Sequence, residues 1–310
     1  MAEHTTPTLG DVDTLARAIL AHHGADYADF PPQPAGGAPA GLQDPVAQAA
    51  YQACSALGFI PHDAHTLALA WAAQTRRLGR FDASRWPDEP ADFGLQPRPH
   101  ARPFAACPAA LGLYAVLPDA EWVGRMARAG VPTVQLRFKS DDAAAIEREV
   151  RAAVQAVRGT PALLFINDHW QQAIDAGAYG VHLGQEDLDA LAPHQLDAIR
   201  DAGLRLGVST HGYAEMVRAD AGSPSYVAMG AVFPTTLKKM ATVPQGLARL
   251  AAYARLMRGY PQVAIGGIGL AQFPDVLATG VGSIAVVRAL VNAADPQAAA
   301  TELMHAMAAA

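Results

Sequence analysis

Two neighbouring stretches decide the reading of this chain: Ala162-Leu163-Leu164-Phe165-Ile166-Asn167-Asp168-His169 and Gly180-Val181-His182-Leu183-Gly184-Gln185-Glu186-Asp187. Each is a short apolar run that ends abruptly in polar residues. From Leu111 onward runs of this kind alternate with helical stretches. The strand candidates are Leu113–Leu117, Thr133–Leu136, Ala162–Ile166, Gly180–Leu183, Arg205–Val208, Tyr226–Met229, Gln262–Ile265 and Ser283–Val287. Amphipathic helices such as Asp142–Val157, Leu188–Ala202 and Leu247–Met257 lie between them. Strands buried on both faces read as near-continuous apolar runs, as most of these do. Eight strand–helix units, the last helix running to the C-terminus, predict an α/β protein built as a (β/α)8 TIM barrel. A doubly wound open sheet is the structural alternative.

Upstream the texture differs. Residues 1–108 are rich in Pro, Gly, His and Asp, with Pro-rich loops at 30–37 and 96–100. Helical patterns cover Val12–His22, Pro45–Leu57 and Asp63–Leu78, and no clean strand occurs. This predicts a small helical N-terminal region, an arm or degenerate domain over 1–108 with a linker near 88–108, ahead of a barrel over 109–310.

Composition bounds the function. The chain has 310 residues, of which 51% are hydrophobic and 17% charged, and a net charge of −6. That is globular rather than disordered. The mild acidity argues against a general nucleic-acid binder. No apolar run approaches the roughly 20 residues of a membrane span, and Met1 to Gly10 lacks the basic and apolar regions of a signal peptide. Two cysteines, Cys54 and Cys107, make neither a disulfide framework nor a complete cysteine zinc site, so a cytoplasmic location is expected. Of 23 basic residues only Lys139, Lys238 and Lys239 are lysine. A GC-rich coding bias accounts for that pattern, yet the surviving lysines mark places where a compact ammonium differs from a planar fork.

In such a barrel the chemistry sits at the C-terminal ends of the strands. The second strand runs out through Gln135-Leu136-Arg137-Phe138-Lys139. Alternation sends Gln135, Arg137 and Lys139 to one side. Two cations and an amide suit a polyanion such as diphosphate; the plainer reading is a solvated strand end. Asp168 and Asp187 close the third and fourth strands. Carboxylates on adjacent strand ends can share Mg2+, which is commonly held by one or two carboxylates together with substrate phosphate oxygens. Taken separately, either could instead cap the following helix. The fifth strand ends in Ser209-Thr210-His211-Gly212, whose hydroxyls suit a helix cap or a phosphate. After the sixth, Thr235-Thr236-Leu237-Lys238-Lys239 forms a plausible anion grip, followed by a stretch, Met240 to Gly246, long enough for a flap. The seventh and eighth end in Gly266-Gly267-Ile268-Gly269 and Val287-Arg288, the recurrent place for a phosphate in these barrels. Two anion sites on one rim suggest two phosphorylated groups facing each other.

Six motifs stand in order: Gln135-x-Arg137-x-Lys139, Ile166-Asn167-Asp168, Gly180 through Asp187, Gly207-Val208-Ser209-x-His211, Pro234-Thr235-x-x-Lys238 and Ile265-Gly266-Gly267-Ile268. With them the chain, from about 111 to 305, resembles thiamine-phosphate synthase. The resemblance implies a transferase joining 4-amino-2-methyl-5-hydroxymethylpyrimidine diphosphate to 4-methyl-5-(2-hydroxyethyl)thiazole phosphate, or its carboxylated form. The products are thiamine phosphate and diphosphate, formed by Mg2+-assisted dissociative substitution. It implies Gln135, Arg137, Lys139, Asn167, Ser209 and Lys238 on the pyrimidine diphosphate, with Arg137, Lys139 and Lys238 as the catalytic cations. It places Asp168 and Asp187 on Mg2+, and Thr235, Thr236, Gly267, Val287 and Arg288 at the thiazole phosphate, the last two through backbone amides. Two residues depart from the family pattern: Leu237 stands where a threonine is common, and Arg288 where a serine is common.

Three other readings compete. A thiazole tautomerase-like enzyme needs no diphosphate clamp or metal pair. A non-catalytic thiamine-phosphate sensor draws on Leu237 and Arg288. A generic sugar-phosphate barrel enzyme leaves the cationic strand end idle. The stretch Ala53–Thr75 faintly resembles the last helices of hydroxymethylpyrimidine phosphate kinases, but it is far too short for a kinase and no kinase activity is expected. A fusion remnant and a packing or dimer-contact arm stay equally open for this region. The expected partners are small-molecule substrates, with no nucleic acid and no membrane; a homo-oligomer is left open.

Overall fold

The computed structural model describes residues 11–34, 39, 41–96, 98, 100–235 and 243–309. It forms two compact units, one of residues 1–97 with 212–217, the other of 98–211 with 218–310.

The first unit is helical. It contains α1 (Val12–His23), α2 (Pro45–Ala56) and α3 (Pro61–Leu78), with a short 3-10 turn at Pro90–Phe93 and no strand among the described residues. The Asp44 carboxylate caps α2 through the Val46 and Ala47 N–H groups. Gly79, at φ 71°, ends α3 in the left-handed conformation that glycine adopts most readily. The core is aromatic: Tyr27, Phe59, Trp71 and Trp86 pack with ring centroids 5.1 to 6.2 Å apart. Arg77 closes the 3-10 turn with a bidentate pair to the buried Asp92 carboxylate. Tyr213, from the segment that joins this unit, stacks on Phe93 and accepts the indole N–H of Trp86 at 2.9 Å.

The second unit is a closed parallel barrel in sequential order: β1 (Gly112–Leu117), β2 (Thr133–Leu136), β3 (Leu163–Asn167), β4 (Gly180–Leu183), β5 (Arg205–Thr210), β6 (Tyr226–Met229), β7 (Gln262–Ile265) and β8 (Ser283–Val286). β8 closes on β1, with Gly112 opposite Ser283. The helices are α4 (Ala120–Arg128), α5 (Ala143–Ala156), α6 (Trp170–Ala176), α7 (Gln185–Ala190), α8 (Pro193–Asp201), α9 (Tyr213–Ala221), α10 (Gly246–Leu256), α11 (Phe273–Leu277), α12 (Arg288–Val291) and α13 (Pro296–Ala308). The expected (β/α)8 barrel is therefore present. One element differs: the single helix expected over Leu188–Ala202 is two helices. Pro193 disfavours helical geometry at Ala192, whose ψ is 152°, and itself opens α8.

The barrel interior is filled by Leu111, Tyr114, Val116, Phe165, Tyr226, Ala228, Val263 and Ala285. Large inward residues need small ones opposite. A Cβ at Gly180 would stand 2.5 Å from the Phe165 ring, and one at Gly207 would stand 2.1 Å from the Tyr226 ring. These glycines open the Gly-Val-His and Gly-Val-Ser runs because the rings of neighbouring strands occupy their side-chain space. Gly207→Ala is expected to destabilise the protein by about 1–3 kcal/mol through overpacking. The check is the urea midpoint; an unchanged midpoint would mean that the Tyr226 ring yields without cost.

Candidate active site

The inward polar residues of six strands form one hydrogen-bonded chain across the barrel. Ser209 Oγ lies 2.8 Å from His182 Nε2, and His182 Nδ1 lies 2.7 Å from the Tyr226 hydroxyl. Tyr226 and Tyr114 share a hydrogen bond at 2.7 Å. Tyr114 donates to Gln135 Oε1 at 2.8 Å, and Gln135 Nε2 donates to Asn167 Oδ1 at 2.9 Å. Each hydroxyl has one proton to give, so the amide orientation sets every donor. Tyr114 gives its proton to Gln135, so Tyr226 gives its own to Tyr114. His182 must then donate from Nδ1, and neutral imidazole accepts the Ser209 proton at Nε2. Burial raises the pKa of both phenols, which keeps both protonated. Net hydrogen bonds of this kind contribute about 0.5–1.5 kcal/mol each, but an orphaned buried member costs more, so the chain stands or falls together.

This chain connects three of the expected substrate ligands. Gln135, Asn167 and Ser209 are its outer members, on β2, β3 and β5. Ser209 is held a second time, because Gln185 Nε2 donates to its carbonyl at 2.6 Å. Gln185 is in turn gripped by the Arg218 guanidinium. His182, Tyr114, Tyr226 and Gln185 carry no role in the sequence reading. The period of two along β1, β4 and β6 would have placed the first three indoors, but their partners lie 21 to 112 residues away.

Past the end of β2, Arg137 continues the ladder through its N–H to the Leu117 carbonyl at 2.8 Å. It is half-buried, and its side chain makes no ion pair or hydrogen bond among the described residues. A guanidinium left open at a strand end is available to a phosphate. Lys139 is exposed, and its Nζ meets Asp168 Oδ2 at 2.5 Å. Asp168 does not cap α6, whose N-cap is His169. It has φ 65°, uncommon for a residue with a side chain, with its N–H bonded to the His182 carbonyl. Asp187 Oδ2 accepts the Gly184 N–H at 3.1 Å, so part of its capacity is spent on the helix start. Burial first, then repulsion from the Asp168 carboxylate, raises the Asp187 pKa, with Lys139 opposing. No group of three or more acidic, His or Cys ligands occurs among the described residues. Two oxygen-donor carboxylates that repel each other still fit Mg2+, whose other positions go to phosphate oxygens and water.

Across the rim, β6 and β7 meet at the glycines. Val232 N–H bonds the Ile265 carbonyl and Phe233 N–H that of Gly266. Gly267 has φ 67°, and a Cβ there would lie 2.7 Å from the Pro234 carbonyl oxygen. The Gly run thus lets the loop carrying Thr235 pack onto the end of β7, besides any approach to phosphate. Val287 is the N-cap of α12, whose Leu290 and Val291 N–H groups return to the Val287 carbonyl. Arg288 is exposed. The expected ligands Thr236 and Lys238, together with Leu237, lie outside the described residues.

Comparison with known proteins agrees with this geometry. The thiamine monophosphate synthase family pattern matches residues 113–290. The thiamine-phosphate synthase of Neisseria meningitidis serogroup B is 55% identical over 188 residues, 61% of this chain and 90% of that protein. That of Cronobacter sakazakii is 53% identical over 202 residues, 65% of this chain and 95% of its own length. The solved thiamine phosphate pyrophosphorylase from Pyrococcus furiosus superposes with a TM-score of 0.56 at 29% identity, covering 64% of this chain and 96% of that one. The chain belongs to the thiamine monophosphate synthase family.

Proposed function

We propose that this transferase of thiamine biosynthesis joins the hydroxymethylpyrimidine diphosphate to the thiazole phosphate, in its simple or carboxylated form, with Mg2+ as cofactor. Residues 109–310 carry this chemistry, and residues 1–108 form a helical N-terminal region, of which 1–97 make one compact unit with 212–217. A cytoplasmic location suits these substrates, and no helix among the described residues is long and apolar enough to cross a membrane. The observation that supports the reading best is the open Arg137 beside Lys139, Asp168 and Asp187, above the buried chain that holds Gln135, Asn167 and Ser209.

The C–O bond between the pyrimidine methylene and the diphosphate breaks first, and its electron pair leaves with the diphosphate. The thiazole nitrogen then gives its lone pair to the methylene cation. The carboxylated thiazole also loses CO2. When bound, Mg2+ supplies charge neutralisation for the leaving diphosphate. Arg137, Lys139 and Lys238 add fixed positive charge where negative charge accumulates. Gln135, Asn167 and Ser209 orient the pyrimidine diphosphate from below, pre-set by their shared hydrogen bonds. Asp168 and Asp187 would hold the metal. Thr235, Thr236, Gly267 and the backbone of Val287 and Arg288 would hold the thiazole phosphate, placing the nitrogen opposite the departing group.

The test is formation of thiamine phosphate from the two substrates. Product is expected with Mg2+ and not with chelator, and Asp168→Ala, Lys139→Ala and Arg137→Ala are each expected to lose at least about a hundredfold in turnover, the scale of one removed charge-stabilising group. Folded protein that binds thiamine phosphate but makes none would instead support a sensor. Asp187 gives a second prediction, in which stability and activity move apart. Its pKa lies above the ordinary 3.8 in the folded protein, so between those two values the folded state binds its proton more tightly than the unfolded chain does. In metal-free protein its contribution to stability therefore falls as pH rises through that window. Asp187→Asn keeps an acceptor for Gly184 and removes the charge. It is expected to raise the metal-free melting temperature at pH 7 while abolishing Mg2+-dependent turnover. A lowered melting temperature would show that the ionised carboxylate stabilises the fold.

A further inference from the structure

The helical N-terminal region lies outside the family match, and one of its residues stands against the segment that follows Ser209. Gly212 stands immediately before helix α9, and its carbonyl accepts the Met216 N–H. Glycine has no side chain with which to cap the first turn. The Asp63 carboxylate does this from α3: its Oδ1 accepts the Ala214 N–H at 2.9 Å across 151 residues of sequence. Asp63 is 4% exposed, and Gly212 and Tyr213 are buried, so water cannot readily substitute for it. The fit is tight. A Cβ at Gly212 would lie 2.0 Å from Asp63 Oδ2, and its three nearest neighbours are all atoms of that carboxylate. Residues 212–217 belong to the helical unit, and Tyr213 is further held there by Trp86 and Phe93.

Ser209 is three residues upstream of Gly212. Its Oγ is an end of the buried hydrogen-bonded chain and its carbonyl is held by Gln185. The carboxylate therefore anchors the chain three residues after Ser209, while His182 and Gln185 hold Ser209 itself. We propose that Asp63 is a positioning residue for the pyrimidine diphosphate site: by capping α9 in place of Gly212 it sets where Ser209 presents its hydroxyl. This rests on the synthase reading given above, and it assigns the N-terminal region a part in substrate binding although that region supplies no ligand.

The experiment uses the full chain and measures KM for each substrate separately. In Asp63→Ala the KM for the pyrimidine diphosphate is expected to rise about five- to tenfold, as expected for a lost cap, with the KM for the thiazole phosphate unchanged. Gly212→Ser alone is expected to disturb the site, because its Cβ meets the Asp63 carboxylate. Combined with Asp63→Ala, the serine has the vacated space and can cap α9 from its own chain, so the double variant should return to within about twofold of the original KM. A rise confined to the pyrimidine KM is a result that a purely structural role for Asp63 would not produce, and recovery in the double variant traces that rise to the lost cap. Should Asp63→Ala fail to fold, Asp63→Asn, which keeps a weaker acceptor for the Ala214 N–H, decides instead: a rise confined to the pyrimidine KM supports the proposal, and an unchanged KM overturns it. An unchanged pyrimidine KM in folded Asp63→Ala also overturns it, as does equal loss for both substrates without recovery. If the unaltered protein makes no thiamine phosphate, the synthase reading fails first, which separates the two.

Discussion

The chain of hydrogen bonds from Ser209 through His182, Tyr226, Tyr114 and Gln135 to Asn167 is the constraint on which the site depends. A barrel interior is a poor place for polar groups, each of which costs free energy unless partnered. Here every strand from β1 to β6 contributes one member and none is left over. The arrangement also explains the apolar neighbours. Tyr226 reaches His182 only because Gly207 leaves room for its ring, and Phe165 sits beside it only because Gly180 does the same. Packing and polarity are thus one design: the glycines admit the rings, one of which, Tyr226, carries a hydroxyl in the chain, and the chain fixes the amide and hydroxyl heads from below the rim.

The charges above that floor are arranged differently. Lys139 and Asp168 pair with each other, but the other two charges are not paired with an opposite charge within the described residues. Arg137 has no partner there, and Asp187 is forced toward protonation by burial and by Asp168. A rigid neutral floor under an unbalanced charged rim suits a reaction whose charge moves. The floor need not reorganise, and the proposed polyanion and divalent cation would bring the opposite charges that the rim lacks.

The barrel was legible in the sequence because its signal is local. Four to six apolar residues, a polar exit and a helix recur eight times, and the limits of β2, β4, β6 and β7 coincide with the expected ones. The break at Pro193 was missed because the helical period on either side of it is continuous. In the candidate site, alternation points Gln135, Arg137 and Lys139 one way and the aspartates stand at strand ends; the structure shows Gln135 in the buried chain and Lys139 paired with Asp168. His182 lay inside a quoted motif without a role, since a histidine in an apolar strand declares nothing until its partners on other strands are known. Tyr114 and Tyr226 looked like core residues, which they also are. The sequence leaves Asp63 with no visible role, because a cap normally lies next to the helix it serves, and this one is 151 residues away.

That separation makes Asp63 and the segment 212–217 depend on each other. A barrel in which the residue before α9 has its own capping side chain needs nothing from elsewhere. Once that residue is glycine, the buried N–H groups of the first turn need an acceptor brought from another part of the chain. Once the acceptor is Asp63, a side chain can no longer return at 212, because its Cβ would occupy the place of the carboxylate. Each residue thus excludes the simple reversal of the other. Within the helical unit, Asp63 and the 212–217 segment are tied together for a steric reason as well as an energetic one.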